Sequence, residues 1–76
     1  MNYFSYINEN LERIKNDVRL GIIPCSVMNH WHIYSRFDYY LRTGKRRCES
    51  IFFTAEDFSM SERNVYYAIK QMETEI

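Results

Sequence analysis

Apolar side chains recur every three or four positions along most of this chain, which is the spacing of one face of an α-helix. Over residues 1–20 they form one narrow stripe, made by Phe4, Ile7, Leu11, Ile14 and Val18. The sequence LGIIPCS follows. Its glycine accepts a left-handed cap and its proline cannot continue the helical hydrogen bonds, so the helix should end there. The pattern predicts an amphipathic N-terminal helix.

A second, longer helix is predicted from a cap at Ser26 through about Arg42, where Gly44 ends it. Its apolar positions cover a wide arc and comprise Val27, Met28, Trp31, Ile33, Tyr34, Phe37, Tyr40 and Leu41. Because a helix that is apolar over so much of its circumference must be covered on several sides, we expect it to be central.

Two more helices are predicted in the last third of the chain. One carries Cys48, Ile51, Phe52, Ala55 and Phe58 on one side. The other starts at Ser61 and carries Val65, Ala68, Ile69 and Met72. Sustained alternation and hairpin-turn dipeptides, the signals of strands, do not occur. The sequence therefore predicts an all-α protein, a small four-helix bundle in a single domain of residues 1–76.

The last two predicted helices are joined by a very short connection in the stretch TAEDFSMSERNVYYAIK, residues 54–70. This spacing is typical of a helix-turn-helix, in which two helices cross steeply. Ala55 supplies the small residue needed where they cross. Ser59, Met60 and Ser61 supply the permissive turn residue, the apolar plug and the helix cap. Such turns favour glycine because it reaches positive φ cheaply, so Ser59 departs from the pattern. A plain helical hairpin is the alternative interpretation.

The stretch IYSRFDYYLRTGKRRCESIFFTAEDFSMSERNVYYAIKQM, residues 33–72, resembles the homeodomain-like, three-helix helix-turn-helix of bacterial and phage regulators. Its FSMSERNVYYAIK portion is similar to the tail of Mor-type phage transcription activators and of sigma-factor region 4-like domains. The resemblance implies a helix-turn-helix unit over residues 26–76 that binds double-stranded DNA through its last helix. It also implies a sequence-specific transcriptional regulator or a mobile-element accessory factor. Trihelical units also serve as protein-interaction adaptors, so that alternative stays open.

If the last helix docks as in this family, its outward residues meet the DNA: Ser61, Glu62, Arg63, Tyr66, Tyr67 and Lys70. Arg63 is the main candidate for reading a base, because a guanidinium binds guanine O6 and N7 bidentately. Glu62 could accept from cytosine N4, although a role at the positive helix N-terminus is preferred. Tyr66 and Tyr67 could contact thymine methyls or phosphates, or one of them could pack on a neighbouring helix. Ser61 and Lys70 are assigned to the DNA backbone.

The sequence RTGKRR places four cations directly before the motif: Arg42, Lys45, Arg46 and Arg47. We expect them to hold the phosphate backbone, and a merely solubilising loop is the alternative. The chain has 10 Lys and Arg against 10 Asp and Glu, so its formal net charge is zero. Since phosphate neutralisation drives DNA affinity, DNA binding would depend on local clustering of these cations.

Other kinds of chemistry are not expected. His30 and His32 lie two positions apart on a helix and point to different sides, so they are not a metal pair. Neither a nucleophile–base arrangement nor a glycine-rich phosphate loop occurs, so we predict no enzyme activity, no cofactor and no small-molecule substrate. Two cysteines suggest reduced thiols in a cytoplasmic protein. We expect neither a signal peptide nor a transmembrane helix.

The apolar stripe of the N-terminal helix lies outside the trihelical unit and must be covered by something. Its heptad-like spacing predicts a homodimer in which this helix contributes to the interface. The alternative is that the helix packs back onto the second helix within one chain.

Overall fold

The computed structural model describes residues 1–76 and contains five α-helices. They are α1 (Tyr3–Glu9), α2 (Leu11–Arg19), α3 (Cys25–Arg42), α4 (Arg47–Phe58) and α5 (Glu62–Met72). The prediction of an all-α protein is confirmed. The ends of the chain meet in one isolated bridge between Asn2 and Glu75. None of the helices combines the length and the apolar character needed to cross a bilayer.

The single N-terminal helix expected from the sequence is wrong, because the structure divides it into α1 and α2 at Asn10. The Asn10 side-chain amide donates a hydrogen bond to the Tyr6 carbonyl at 2.9 Å. Asparagine competes in this way with regular helical bonding, and its backbone leaves the helical region at φ −124° and ψ 29°. The helix resumes at once, since the Asn10 carbonyl accepts from Ile14 N–H at 2.9 Å.

The apolar stripe of the N-terminal segment is covered within the chain. Ile7 and Ile14 are buried in the same core as α3 and α5, and Phe4, Leu11 and Val18 pack against that core. The Phe4 ring lies 4.6 Å from the Tyr34 ring of α3. Across the same contact, the Trp31 indole N–H donates to Asn8 Oδ1 at 2.8 Å. This packing is the alternative interpretation of the stripe. Homodimerisation stays a prediction, but the apolar stripe no longer supports it, because the stripe is covered within one chain.

Helix α3 is central, as its wide apolar arc predicts. It packs against α1, α2, α4 and α5, and it buries Val27, Ile33, Tyr34 and Phe37. Its start differs from the prediction by one residue. The helix begins at Cys25 after Pro24, and no side chain caps it, whereas Ser26 was expected to be the cap. Proline at φ −60° already sets the chain for helix entry, so a serine cap is not required.

Helix α4 buries only part of the face expected, because Ala55 is buried and Ile51 packs against the core. Ser50, Thr54 and Ala55 are its buried residues, whereas Cys48, Phe52 and Phe58 are exposed. The Ser50 hydroxyl donates to the Arg46 carbonyl at 2.9 Å, which lets a small polar side chain enter the core. The prediction is therefore wrong for Cys48, Phe52 and Phe58, because it gave more weight to apolar character than to size.

The connection between α4 and α5 is three residues long, from Ser59 to Ser61. Ser59 adopts the left-handed conformation at φ 53° and ψ 47°. The sequence predicts positive φ at this position of the turn. Met60 packs against the core, and its N–H donates to the Ala55 carbonyl at 3.0 Å. Ser61 Oγ accepts from Asn64 N–H at 3.2 Å and caps α5. The sharp turn therefore rests on one strained serine and one helix cap.

Ser59→Gly should stabilise the fold by about 0.5–1 kcal/mol, because glycine reaches positive φ without the steric cost that a Cβ imposes. Ser59→Ala is the matched control. It keeps the Cβ and removes only the hydroxyl, so its free energy of unfolding should stay close to that of the wild type. Urea denaturation measures all three proteins. Equal stabilities for the glycine and alanine variants would contradict a strained turn.

Candidate nucleic-acid interface

Helix α5 turns a polar and aromatic face to solvent. Arg63, Tyr67 and Lys70 are exposed and stand at positions i, i+4 and i+7, so they form one row along the helix. Tyr66 borders this row; it is 55% exposed and Tyr67 is 51% exposed, so neither ring lies in the core. Arg63 and Lys70 take part in none of the ion pairs of the chain. Two cations and two phenols are therefore available on one surface.

The opposite face of α5 fixes the orientation of this row. Val65, Ala68, Ile69 and Met72 are all buried, as their spacing predicts. At the start of the helix, Ser61 uses its hydroxyl for the cap, which orders the first turn. Glu62 is exposed in that turn, where a carboxylate interacts favourably with the positive end of the helix.

Arg47 is placed beside the exposed face of α5 by contacts with other elements. Its guanidinium nitrogens lie 3.0 and 3.4 Å from the two carboxylate oxygens of Glu73, and its Cζ lies 5.4 Å from the centre of the Phe37 ring. The bond to Glu73 raises the pKa of Arg47. The Tyr34 hydroxyl also donates to Glu73, at 3.1 Å. Burial, together with this bond, raises the pKa of Tyr34 to about 12.

A surface pocket of about 210 Å³ joins Arg47 to α5. It is lined by Arg47, Tyr66, Ile69, Lys70 and Glu73. Two cationic side chains and one phenol thus surround a space that also contains one carboxylate. Such a pocket has the groups needed to bind a phosphate oxygen. Arg47 contributes to this binding when it is not paired with Glu73.

The other cations before α4 do not join this pocket. Arg42 is paired with Asp38 at 2.9 Å. The Lys45 ammonium lies over two rings, 5.3 Å from the centre of Phe53 and 5.9 Å from that of Tyr40. Arg46 is the residue before α4 and is exposed. Of the four cations in RTGKRR that were predicted to hold the DNA backbone, the structure brings Arg47 alone into the pocket with Lys70.

The sequence did not predict a group of rings on α3 and α4 that we call the aromatic surface; Tyr39, Phe52 and Phe53 are exposed and Tyr40 is half-buried. The ring centres of successive members lie 5.4, 5.6 and 5.5 Å apart in the order Tyr39, Tyr40, Phe53, Phe52. Phe52 is 47% exposed and Tyr39 is 54% exposed. The adjacent Phe52–Phe53 pair was the signal in the sequence, because two large neighbouring rings point about 100° apart and only one of them can be at the centre of a narrow buried face.

No protein-family model, curated protein or solved structure matches this chain. The resemblance of residues 33–72 to homeodomain-like regulators therefore stays a prediction, and the geometry above carries the functional argument.

Proposed function

We propose that this protein binds double-stranded DNA in a sequence-specific manner, through a helix-turn-helix formed by α4 and α5. The exposed row of Arg63, Tyr67 and Lys70 enters the major groove. Arg63 reads a guanine, with Glu62, Tyr66 and Tyr67 at neighbouring bases. In the cell such a protein would act as a transcriptional regulator or as a mobile-element accessory factor.

One observation carries this proposal: the exposed face of α5 holds two cations that have no partner in the chain. Arg63 and Lys70 are seven residues apart, or about 10 Å along the helix axis. When the helix lies in the major groove, two side chains at this separation on one face can both reach the duplex. Unpaired cations bind phosphate and base acceptors without first breaking an internal ion pair. The short turn before α5 and the Ser61 cap support the proposal by fixing this helix at the surface.

Lys70 holds the phosphate backbone at the side of the groove, with Ser61 at the N-terminus of α5. Arg47 lies beside them and reaches a phosphate when it is released from Glu73. Lys45 and Arg46 precede α4, so they contact phosphates only if the bound duplex continues past the start of that helix. Arg42 contributes least, because Asp38 already neutralises it. These roles set register and affinity but carry no sequence information.

Selection from a pool of random duplexes tests sequence specificity directly. The wild-type protein should enrich one short motif over successive rounds, because base contacts discriminate by about 1–3 kcal/mol each. Recovery of unrelated sequences at equal strength would contradict specific recognition, even if the protein retained the pool.

Glu73→Gln should strengthen DNA binding. The substitution releases Arg47 from its carboxylate partner, so that one more cation meets a phosphate, and the slope of log affinity against log salt should steepen by about 0.9. We expect affinity for a mixed-sequence duplex to rise about 3- to 10-fold at low salt. Fluorescence anisotropy over a range of salt concentrations measures both quantities.

Glu75→Gln is the matched control for this prediction. It removes the same charge from the same end of the chain, but Glu75 pairs only with the N-terminal ammonium, at 3.3 Å. Its effect on the salt slope should be small. If both variants strengthened binding equally, the cause would be net charge, and Glu73 would not be restraining Arg47.

A second candidate function is that of a protein-interaction adaptor that uses the trihelical fold without binding DNA. The aromatic surface is the observation that favours it, since exposed contiguous apolar groups mark interaction sites. The zero net charge is also compatible with it. Failure to bind any duplex at low salt would favour this second function.

A further inference from the structure

A groove runs along one side of α3, between this helix and the end of α4, and we call it the α3 groove. It consists of two adjoining surface cavities of about 380 and 270 Å³. His32 and Phe58 line both cavities, so the two are continuous. Sites for small organic ligands have volumes of about 300–1,000 Å³, so the groove is large enough to hold one.

Arg36 is the charged side chain of the groove, and contacts with α3 and α4 hold it in place. Its Cζ lies 5.7 Å from the centre of the Tyr39 ring, and its Nε lies 3.5 Å from Asp57 Oδ2. The same carboxylate oxygen accepts a hydrogen bond from the Tyr40 hydroxyl. An ion pair of this length at an exposed site is weak, and neither terminal nitrogen of Arg36 donates a hydrogen bond within the chain. These two nitrogens are the pair that binds a carboxylate bidentately.

The polarity of the groove favours an anion. No acidic side chain lines either cavity, and Asp57 is not among the residues that do. His32 adds a ring N–H, which is present in either tautomer of the neutral imidazole, and the Tyr39 hydroxyl is a further donor. The groove therefore offers a ligand one positive charge, two other donors and no negative charge.

The smaller cavity is more apolar than the larger one. Ile33 and Met60 line it together with Phe58. Phe58 lies in the last turn of α4 and is 38% exposed, so part of its ring is open to a ligand. Because Phe58 also lines the larger cavity with Arg36, one small molecule can contact both side chains.

We propose that the α3 groove binds a small organic acid, with its carboxylate on the terminal nitrogens of Arg36 and its apolar body on Phe58. A monoanion matches the charge, because Arg36 is the only lysine or arginine that lines the groove. The groove is open to solvent, so an acid of about ten non-hydrogen atoms should bind with a dissociation constant of about 1 mM. None of the lining residues belongs to α5, so this site is separate from the proposed DNA-binding face.

The first test is a titration of the full chain with a small acid and its analogues, followed by two-dimensional NMR of the backbone amides. Phenylacetate should cause saturable shifts at the residues of the α3 groove. Phenylacetamide and phenethylamine should bind at least about ten-fold more weakly, because they keep the ring but lack the anion. Acetate should also bind more weakly, because it lacks the ring. The buffer contains no carboxylate or phosphate that would compete for Arg36.

The second test removes the charge from the groove. Arg36→Gln should weaken the binding of phenylacetate about five-fold or more, because the bidentate ion pair is lost. Arg42→Gln is the matched control. It removes the same charge from the last turn of the same helix, but Arg42 pairs with Asp38 and does not line the groove. It should bind phenylacetate like the wild type.

The third test removes the apolar contact. Phe58→Ala should weaken the binding of phenylacetate about three-fold or more, and it should leave the weak binding of acetate nearly unchanged. Phe52→Ala is its control, since it removes the same side chain from an exposed position of α4 that does not line the groove. It should bind both acids like the wild type.

The absence of a saturable shift with phenylacetate would overturn the inference, and so would equal binding of phenylacetamide. Wild-type affinity in Arg36→Gln would also overturn it. Equal losses in Arg36→Gln and Arg42→Gln would assign the binding to net charge and would exclude the site. The amide spectrum of each variant shows whether it is folded, and the comparison of ligands on the wild type needs no variant. None of these measurements contains DNA, so their outcome is separate from that of the proposed function.

Discussion

Replacing Arg63 and Lys70 together by alanine should weaken DNA binding by about 2–4 kcal/mol, or about 30- to 1,000-fold. Arg63→Ala removes a bidentate base contact worth about 1–3 kcal/mol, and Lys70→Ala removes a phosphate contact. The core should be unaffected, because both side chains are exposed and form no ion pair. Titration of a labelled duplex that carries the selected motif measures the loss.

The matched control is the pair Arg13→Ala and Lys15→Ala on α2. It also removes one arginine and one lysine from exposed positions, and α2 packs against neither α4 nor α5. If binding depends on the α5 face, this control should retain most of its affinity. Equal losses in the two double variants would mean that overall charge determines binding, and the docking face would be wrong.

Phe37→Ala should lower the free energy of unfolding by about 3–5 kcal/mol. Its ring is fully buried at 0% exposure, between the Tyr34 ring at 5.6 Å and the Arg47 guanidinium at 5.4 Å. Removing it leaves a cavity at the centre of α3 and also removes the surface on which Arg47 rests. A domain of this size holds only about 4–11 kcal/mol of stability, so this loss should remove at least about a quarter of it.

Phe52→Ala is the control for that prediction, because the same side chain is removed from an exposed position. It should cost less than about 0.5 kcal/mol. Urea denaturation followed by circular dichroism compares the two. Similar costs would show that Phe37 is not the centre of the core.

The helices that the sequence predicted best are those whose apolar pattern is unambiguous. Val65, Ala68, Ile69 and Met72 repeat at spacings of three, one and three, and all four are buried. The turn before them was also predictable, because a short connection with a cap at Ser61 leaves few backbone solutions. Local chemistry fixes these features, so a sequence shows them.

Features that depend on competing or distant contacts could not be predicted. The break at Asn10 comes from a side-chain hydrogen bond that the apolar stripe hides. On α4, two adjacent phenylalanines compete for one buried side, and the core took Ser50 and Thr54 instead. The Arg47–Glu73 pair joins residues 26 positions apart, so the sequence does not reveal it. In the sequence the four cations of RTGKRR look equivalent, whereas in the structure each has different contacts.

If the exposed face of α5 binds duplex DNA, the affinity of the wild type for a labelled duplex of mixed sequence should fall as the salt concentration rises. The two unpaired cations of α5, Arg63 and Lys70, predict a slope of about −1.8 for log affinity against log salt per protomer, because Glu73 holds Arg47 in the wild type. Binding at low salt with a slope near that value is the expected result. No binding at low salt would contradict it, and so would an affinity that does not change with salt.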